Sequence, residues 1–570
     1  MSILTEKITK TIEKWKNFAN LEPNLKEELD SLNEEQLFDA FYTNLEFGTG
    51  GMRGVIGVGT NRMNIYVLRM ANYGYAKFIN SRQKNNPSVV IAYDSRHKSV
   101  EFAKESARVL CSYGIKVYLF DKITPTPELS FAVRYLKATG GIVVTASHNP
   151  PQYNGYKIYD ETGCQLVPEL AEIVISEIAN SPDPFNFELK SYEELINEGM
   201  IEIVSDNIDR PYLEAVKSVS VVNDFNKDDF KIVFSPLHGT AAYLGEKLLS
   251  EMGYTCIPVK EQMVPDSNFS TVVLPNPEDK RAFELSVAYA KKNNADICIA
   301  TDPDADRVGL AVKNGDDYIL LNGNQTGALL IYYLASNKKI SKKGVVFNTI
   351  VTSSLGVEIA KSFGMEYFST LTGFKFIGEQ ARLLENDENK EFFFGYEESY
   401  GYVIKDFVRD KDSLQALLLC SEMSCYYKNQ GKSLLDVLED IYKKYGYYQE
   451  DLVNIGLTGA EGAAKINRIL DHFRNVNELN SEALKVVAKE DYKLKVRYDL
   501  INNQKTALTL PVSNVIKYFL DDNSWFVLRP SGTEPKMKVY ISSCAKSKEE
   551  VLKRVEEIKK EVLQIVNTVE

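Results

Sequence analysis

Hydrophobic residues recur in a fixed order along the first three quarters of the chain. A β-branched run at 89–96 (VVIAYDSR) leads to a helical stretch at 99–112, a strand at 116–120 (KVYLF), a helix at 127–137 and a strand at 141–147 (GIVVTAS). The order returns as a strand at 231–236, a helix at 241–252, a strand at 254–259, a helix at 279–293 and a strand at 296–302. It returns again at 344–349, 352–363, 365–370, 374–385 and 391–396. Strands alternating with helices predict βαβ units on mainly parallel sheets. Right-handed crossovers then bring the strands' carboxyl ends to one side, where open α/β sheets bind ligands. The repeats share architecture and not residue identity.

Each third strand runs into a polar loop: TASHNP (145–150), TDPDADR (301–307) and GYEESYG (395–401). The tail reads differently. After polar, irregular sequence around 446–510 the pattern predicts a helix at 512–520, strands at 524–530 and 536–543, and a long helix at 547–566, which make a separate α+β domain. Domains are expected at 1–205, 206–320, 321–450 and 451–570, with the first linker near 180–210. A leading helix at about 4–18 carries Ile8, Ile12 and Trp15 on one face, to pack on the first domain or to mediate dimerisation.

Bulk properties narrow the function classes. A chain of 570 residues is more than one hydrophobic core usually serves. The net charge of -12 argues against a general nucleic-acid or membrane-surface binder. Seven cysteines without a CxxC pair read as reduced thiols, not as a disulfide framework or a zinc site. The N-terminal segment is charged throughout, unlike a signal peptide. The most apolar stretch, near 414–420, falls well short of the roughly 20 residues a membrane helix needs. A soluble cytoplasmic protein is expected, a monomer or a homodimer.

The loops carry the chemistry. Asp302, Asp304 and Asp306 stand at i, i+2 and i+4, which in an extended segment is one face. Two carboxylates about 4 Å apart repel by about 4 kcal/mol at an effective dielectric of about 20. A divalent cation removes that conflict, and hard oxygen ligands suit Mg2+; the competing reading is a solvated acidic turn. Ser147 ends a strand with His148 beside it and Lys157 ten residues on, but no GxSxG elbow is present, and a turn cap before Asn149-Pro150 is the plainer reading. In RPSGTEP (529–535), Arg529, Ser531, Gly532 and Thr533 make either an anion nest or a plain hairpin turn. GTGGMRG (48–54) is a glycine-rich loop with one cation, Arg53, and GYEES places Glu397, Glu398 and Ser399 at a buried strand end, where charge needs a partner.

Taken together, these segments resemble the α-D-phosphohexomutase superfamily, and its phosphoglucomutase and phosphopentomutase members above all. GTGGMRG, TASHNP, TDPDADR, GFK (373–375), GYEES and RPSGTEP stand in the family's order from about residue 40 to the C-terminus. The resemblance implies an α/β fold of four domains in a heart shape around a cleft, three alike with mixed sheets and a C-terminal α+β domain. It implies an enzyme, an intramolecular phosphotransferase, that interconverts glucose 1-phosphate and glucose 6-phosphate through a phosphoserine at Ser147 and a glucose 1,6-bisphosphate intermediate.

By the same resemblance, Asp302, Asp304 and Asp306 hold Mg2+ with an oxygen of phosphorylated Ser147. Lys157 moves protons with His148 as helper, and Arg53 and Arg307 support the transferring phosphate. Lys375, Glu397 and Ser399 contact the sugar, and Arg529, Ser531, Gly532 and Thr533 clamp the idle phosphate. Ribose or deoxyribose 1-phosphate is the alternative substrate. GEMSGH and GEQSGH, typical of phosphomannose and glucosamine relatives, are absent, with Tyr400 and Gly401 in their place. An inactive sugar-phosphate binder, the alternative from another class, would be expected to have lost Ser147 or one of the aspartates.

Overall fold

A computed structural model describes residues 4–48, 51–457, 459–477, 479, 481–531 and 536–569. They form two compact units, Met1–Gly323 with Phe374–Gly431, and Asn324–Gly373 with Lys432–Glu570. In the first unit, Ser88–Tyr93 lies parallel to both Lys116–Phe120 and Gly140–Val144. Val89 and Ile91 point into one apolar cluster and Val90 and Ala92 into another. A strand covered on both faces needs an unbroken apolar run, and this one has it.

Gly140–Val144 then turns back into Tyr153–Asp160, antiparallel to it, which also pairs with Gly51–Val55. The second sheet repeats the plan. Lys231–Ser235 is parallel to Thr255–Pro258 and Ile297–Thr301, and Ile297–Thr301 turns back into Val308–Asn314. A third turn-back joins Lys390–Glu397 to Gly401–Val403. Each polar loop is therefore the connection between a repeat's third strand and an antiparallel neighbour, and those neighbours make the sheets mixed, as expected.

The apolar stretch at 414–420 belongs to the helix Ser413–Asn429, buried almost all round. The N-terminal helix Glu6–Asn17, capped by the Thr5 side chain, buries Ile8, Ile12 and Trp15. The Trp15 ring meets Phe41, Tyr66 and Phe185 edge-on at 5.7, 5.4 and 5.3 Å. Of its two expected roles, the helix takes packing on the first domain.

In the second unit Lys343–Thr349 pairs in parallel with Glu366–Thr370. A seven-stranded antiparallel sheet runs in the order Tyr447–Gly456, Lys536–Ala545, Trp525–Pro530, Ile516–Leu520, Val486–Asp491, Val496–Asp499, Gln504–Ala507. Helices Gly459–Asn475 and Lys548–Thr568 share a core with it. Two expectations fail here. The segment expected as a helix at 512–520 is the strand Ile516–Leu520, in which Ile516, Tyr518 and Leu520 enter the core with a period of two. The stretch 446–510 is not irregular but holds four strands and a helix. Tyr447–Gly456 and Gln504–Ala507 are polar because much of each faces water, which hides the alternation from a hydropathy reading.

Candidate active site

Ser147 is placed by the end of Gly140–Val144, whose five residues are all buried. The Thr145 hydroxyl donates to Asp94 Oδ2 at 2.6 Å and accepts from the Ser147 N–H at 2.8 Å, closing a tight turn. Ser147 has φ of 51°, a left-handed conformation that costs a non-glycine residue about 1–3 kcal/mol. Arg96 over-determines it. Its guanidinium donates to the carbonyls of Pro150 at 2.8 Å and Tyr153 at 3.1 Å, and to those of Ser147 and Asn149. Its Nε lies 3.3 Å from Asp94 Oδ2, with both side chains fully buried. Gly155 completes the frame, since a Cβ there would stand 2.4 Å from the Thr145 carbonyl.

The Ser147 hydroxyl does not cap this turn, the plainer of its two expected roles. It donates to Asp302 Oδ2 at 2.6 Å, 155 residues away, and lies 3.2 Å from His148 Nδ1. Burial, together with Arg307 and Arg53, pushes the His148 pKa well below its ordinary value, so the ring is neutral at neutral pH.

The three aspartates converge, but not through strand alternation. Residues 302–306 form a turn in which Ala305 has φ of 57° and its N–H bonds the Asp302 carbonyl at 3.0 Å. Asp302 Oδ1 accepts the N–H groups of Asp306 at 3.0 Å and Arg307 at 2.9 Å. Asp304 Oδ2 accepts Thr126 Oγ1 at 2.9 Å and Lys157 Nζ at 2.8 Å. Asp306 Oδ2 lies 3.2 Å from both Lys157 Nζ and Lys411 Nζ.

Ligand oxygens of all three aspartates fall within 4.8 Å of one another. Among the described residues, the buried Asp304 Oδ1 and Asp306 Oδ1 have no hydrogen-bond partner. Desolvated carboxylate oxygens with no donor are the arrangement a hard divalent cation satisfies, so the residues fit the metal. The solvated-turn reading fails because all three are buried.

Electrostatics follow from that burial. Desolvation, then Asp304 and Asp306, raise the Asp302 pKa well above the carboxylate range. Burial also works to raise Asp304 and Asp306, but Lys157 for the first, and Lys411 with Lys157 for the second, outweigh it and hold both down. Lys157 is itself raised, because Asp304 and Asp306 overcome its desolvation. It is an ammonium at neutral pH.

The other expected residues surround this centre or lie elsewhere. Arg53 Nη1 donates to Asn149 Oδ1 at 2.7 Å, on the Ser147 loop. Arg307 pairs with Glu278. Glu397, 7% exposed, ends the strand Lys390–Glu397, and partly exposed Ser399 sits in its turn. Tyr400 in that turn has φ of 65°, and its carbonyl accepts the Val308 N–H at 3.0 Å, which ties the turn to the aspartate loop. Lys375 is the second residue of the helix Phe374–Leu384, and its carbonyl accepts Cys164 Sγ–H at 3.4 Å. Arg529 and Ser531 belong to the second unit, where Arg529 Nη1 lies 3.5 Å from the Tyr540 hydroxyl and the Ser531 N–H bonds Lys536 O at 2.7 Å. Gly532 and Thr533 lie outside the described residues.

Sequence reasoning missed Lys411, Arg96, Asp94, Thr126 and Glu278. Lys411 reaches Asp306 only because Gly401 has no side chain: a Cβ there would stand 2.1 Å from Lys411 Cδ. Nothing in the charge run RDKDS announces that contact, whereas the paired Asp94 and Arg96 in YDSR offered a faint signal.

Four family models match in succession. They are the phosphoglucomutase/phosphomannomutase alpha/beta/alpha domains I (44–184), II (210–315) and III (322–445), and the C-terminal domain (452–561). A phosphoglucomutase of Staphylococcus aureus is 40% identical over 506 residues, 88% of this chain and 90% of the relative. One from Staphylococcus epidermidis is 38% identical over 523 residues, 91% and 94% of the two chains. Among solved structures, the Paramecium phosphoglucomutase pp63/parafusin in its open form aligns with a TM-score of 0.70 at 16% identity, over 92% of this chain and 95% of its own. A phosphoglucomutase/phosphomannomutase family protein from Burkholderia thailandensis aligns with a TM-score of 0.67 at 18% identity, over 92% and 98%.

Proposed function

The chain belongs to the phosphoglucomutase/phosphomannomutase family, and from that premise we propose that it interconverts glucose 1-phosphate and glucose 6-phosphate, with Ser147 as the phosphoryl carrier. One observation supports this most: a buried serine hydroxyl held in a strained turn and aimed at a carboxylate cluster with orphaned oxygens. Phosphoryl transfer needs little covalent help from the protein, so positioning and charge compensation carry the catalysis.

In the first half-reaction the P–O bond to Ser147 breaks as a bond forms to the free hydroxyl of the sugar monophosphate, giving glucose 1,6-bisphosphate. The bisphosphate turns over, and its other phosphate returns to Ser147. Lys157, an ammonium, protonates the departing serine oxygen and is recharged by the proton that the attacking sugar hydroxyl releases. In the second half-reaction it takes the proton of Ser147 as Ser147 attacks and gives one to the departing sugar oxygen. Neutral His148, in the tautomer with its proton on Nδ1, donates to the hydroxyl oxygen at 3.2 Å and orients the hydroxyl, whose own proton goes to Asp302. Asp302, Asp304 and Asp306, with an oxygen of phosphorylated Ser147, would hold Mg2+, which neutralises charge on the transferring group. Arg53 and Arg307 support that charge, Lys375, Glu397 and Ser399 read the sugar, and Arg529, Ser531, Gly532 and Thr533 take the idle phosphate. The reading assigns four domains, 1–205, 206–320, 321–450 and 451–570. It places the reaction in the cytoplasm, in keeping with seven free thiols.

The test is kcat/KM for glucose 1-phosphate against ribose 1-phosphate and deoxyribose 1-phosphate, with Mg2+ and a trace of bisphosphate. A lead for glucose, an inactive Ser147→Ala and a one-phosphate mass shift on Ser147 are expected. A lead for the pentoses overturns the substrate; full activity in Ser147→Ala overturns the mechanism.

A further inference from the structure

The strand Ile516–Leu520 sends Ile516, Tyr518 and Leu520 into the core of the second unit, so its period of two turns Lys517 and Phe519 to the opposite face. There they line an open pocket of about 610 Å³, walled also by loop residues Ile350 and Ser354 and by 508–510. Lys517 is only 9% exposed. Among the described residues its Nζ has one hydrogen-bond acceptor, the Ile350 carbonyl at 2.6 Å, and no carboxylate within ion-pair distance. The rings of Trp525 and Phe519 lie under it at 4.2 and 5.0 Å.

The obvious counter-charge is absent for a visible reason. Glu490 is Lys517's register partner on the neighbouring strand. That carboxylate is already held by Arg497 Nη1 at 2.6 Å and by the Tyr492 hydroxyl at 2.5 Å. At the rim, Lys361 and Glu358 satisfy each other at 2.8 Å. Three cations and two carboxylates line the pocket, which leaves a charge of +1 centred on Lys517. A buried ammonium with one carbonyl and two ring faces is under-compensated, and burial accordingly draws its pKa down to about 8. Ser354, the N-cap of the helix Leu355–Ser362, makes no side-chain capping bond, so its hydroxyl is available on the same wall.

We propose that this pocket is a second anion-binding site, which takes a small metabolite with one compact oxyanion head, a phosphomonoester or a carboxylate, on Lys517 and Ser354. Tyr367, Phe368 and Tyr492 wall the space for the ligand's body. The site uses residues of the second unit alone and owes nothing to Ser147 or the aspartates.

Acetylation of the full chain by limiting acetic anhydride, read by mass spectrometry on the peptide that carries Lys517, tests it directly. Glycerol 3-phosphate and benzoate are the probes. At ten times its Kd, a bound probe slows Lys517 modification about elevenfold. Saturable protection by glycerol 3-phosphate assigns a phosphomonoester, and protection by benzoate a carboxylate. Protection by neither, or protection that only tracks ionic strength, overturns the proposal. A second readout is the rise in Tm with the protecting probe, expected to shrink in Lys517→Met and persist in Lys517→Arg. An undiminished rise in Lys517→Met also overturns it. If that variant does not fold, protection in the unmodified chain decides.

Discussion

Replacing Arg96 with lysine separates geometry from charge in the Ser147 loop. The substitution keeps a cation beside Asp94 but removes the planar fork. The guanidinium serves four carbonyls, those of Ser147, Asn149, Pro150 and Tyr153, besides facing Asp94. An ammonium has three N–H bonds diverging from one atom, so roughly two of those carbonyls lose their donor. Each buried carbonyl left unpaired costs about 1–3 kcal/mol. Relaxation of the left-handed Ser147 returns about 1 kcal/mol or more of that. A net destabilisation of about 1–5 kcal/mol results, and the loop settles with Ser147 Oγ displaced from Asp302. A displacement of about 1 Å at a reacting atom costs on the order of 100-fold in rate. The residues proposed to read the sugar stand on other loops, so the loss is expected in kcat, with KM little changed. The assay is steady-state mutase kinetics together with intact-mass measurement of phosphoserine and a urea melt. Unchanged kcat in a chain that melts at the original urea concentration would refute the view that Arg96 sets the geometry of Ser147.

Three further outcomes are expected. Glu128 is buried beside Asp209, with Lys122 and Asp412 also facing it, and burial followed by Asp209 raises its pKa well above 4.5. Its folded pKa exceeds its unfolded one, so the stability it contributes is complete below about pH 4.5 and declines as pH rises towards the folded value. Glu128→Gln should therefore gain in Tm relative to the unmodified chain as pH rises from 5 towards 8, and parallel curves would disprove it. Asp304→Asn removes one of the three carboxylates proposed to hold Mg2+ and the partner of Lys157. The Mg2+ concentration for half-maximal activity should rise by at least the roughly 10–100-fold typical of losing an outer-shell partner. Trp15→Ala empties the aromatic cluster with Phe41, Tyr66 and Phe185, which should cost about 3–5 kcal/mol by denaturant titration. Its kcat should be unchanged, since no catalytic side chain touches that cluster.

The sequence by itself determined the repeated strand–helix order and the identity of the reactive loops. Parallel strands covered on both faces must be continuously apolar, and 89–92 and 297–300 carry that mark in one dimension. Loop chemistry was legible for a similar reason: three aspartates at alternate positions, or a serine at a strand end, are local facts. Local reading failed where the deciding partner is distant. The segment 512–520 was expected as a helix; two flanking strands of the sheet made Ile516–Leu520 a strand.

Only the tertiary structure decided how the loops work. The aspartates converge through a turn with a left-handed alanine, not through the extended alternation that their spacing suggested. Ser147 left its plainer role as a turn cap because Asp302 stands 155 residues away in the chain and 2.6 Å away in space. Lys411 and Arg96 acquired their roles from a missing Cβ at Gly401 and from four carbonyls gathered around one guanidinium. Protonation belongs to the same class. Burial sets it together with neighbouring charges, and both are properties of packing, which residue order specifies only through the completed fold.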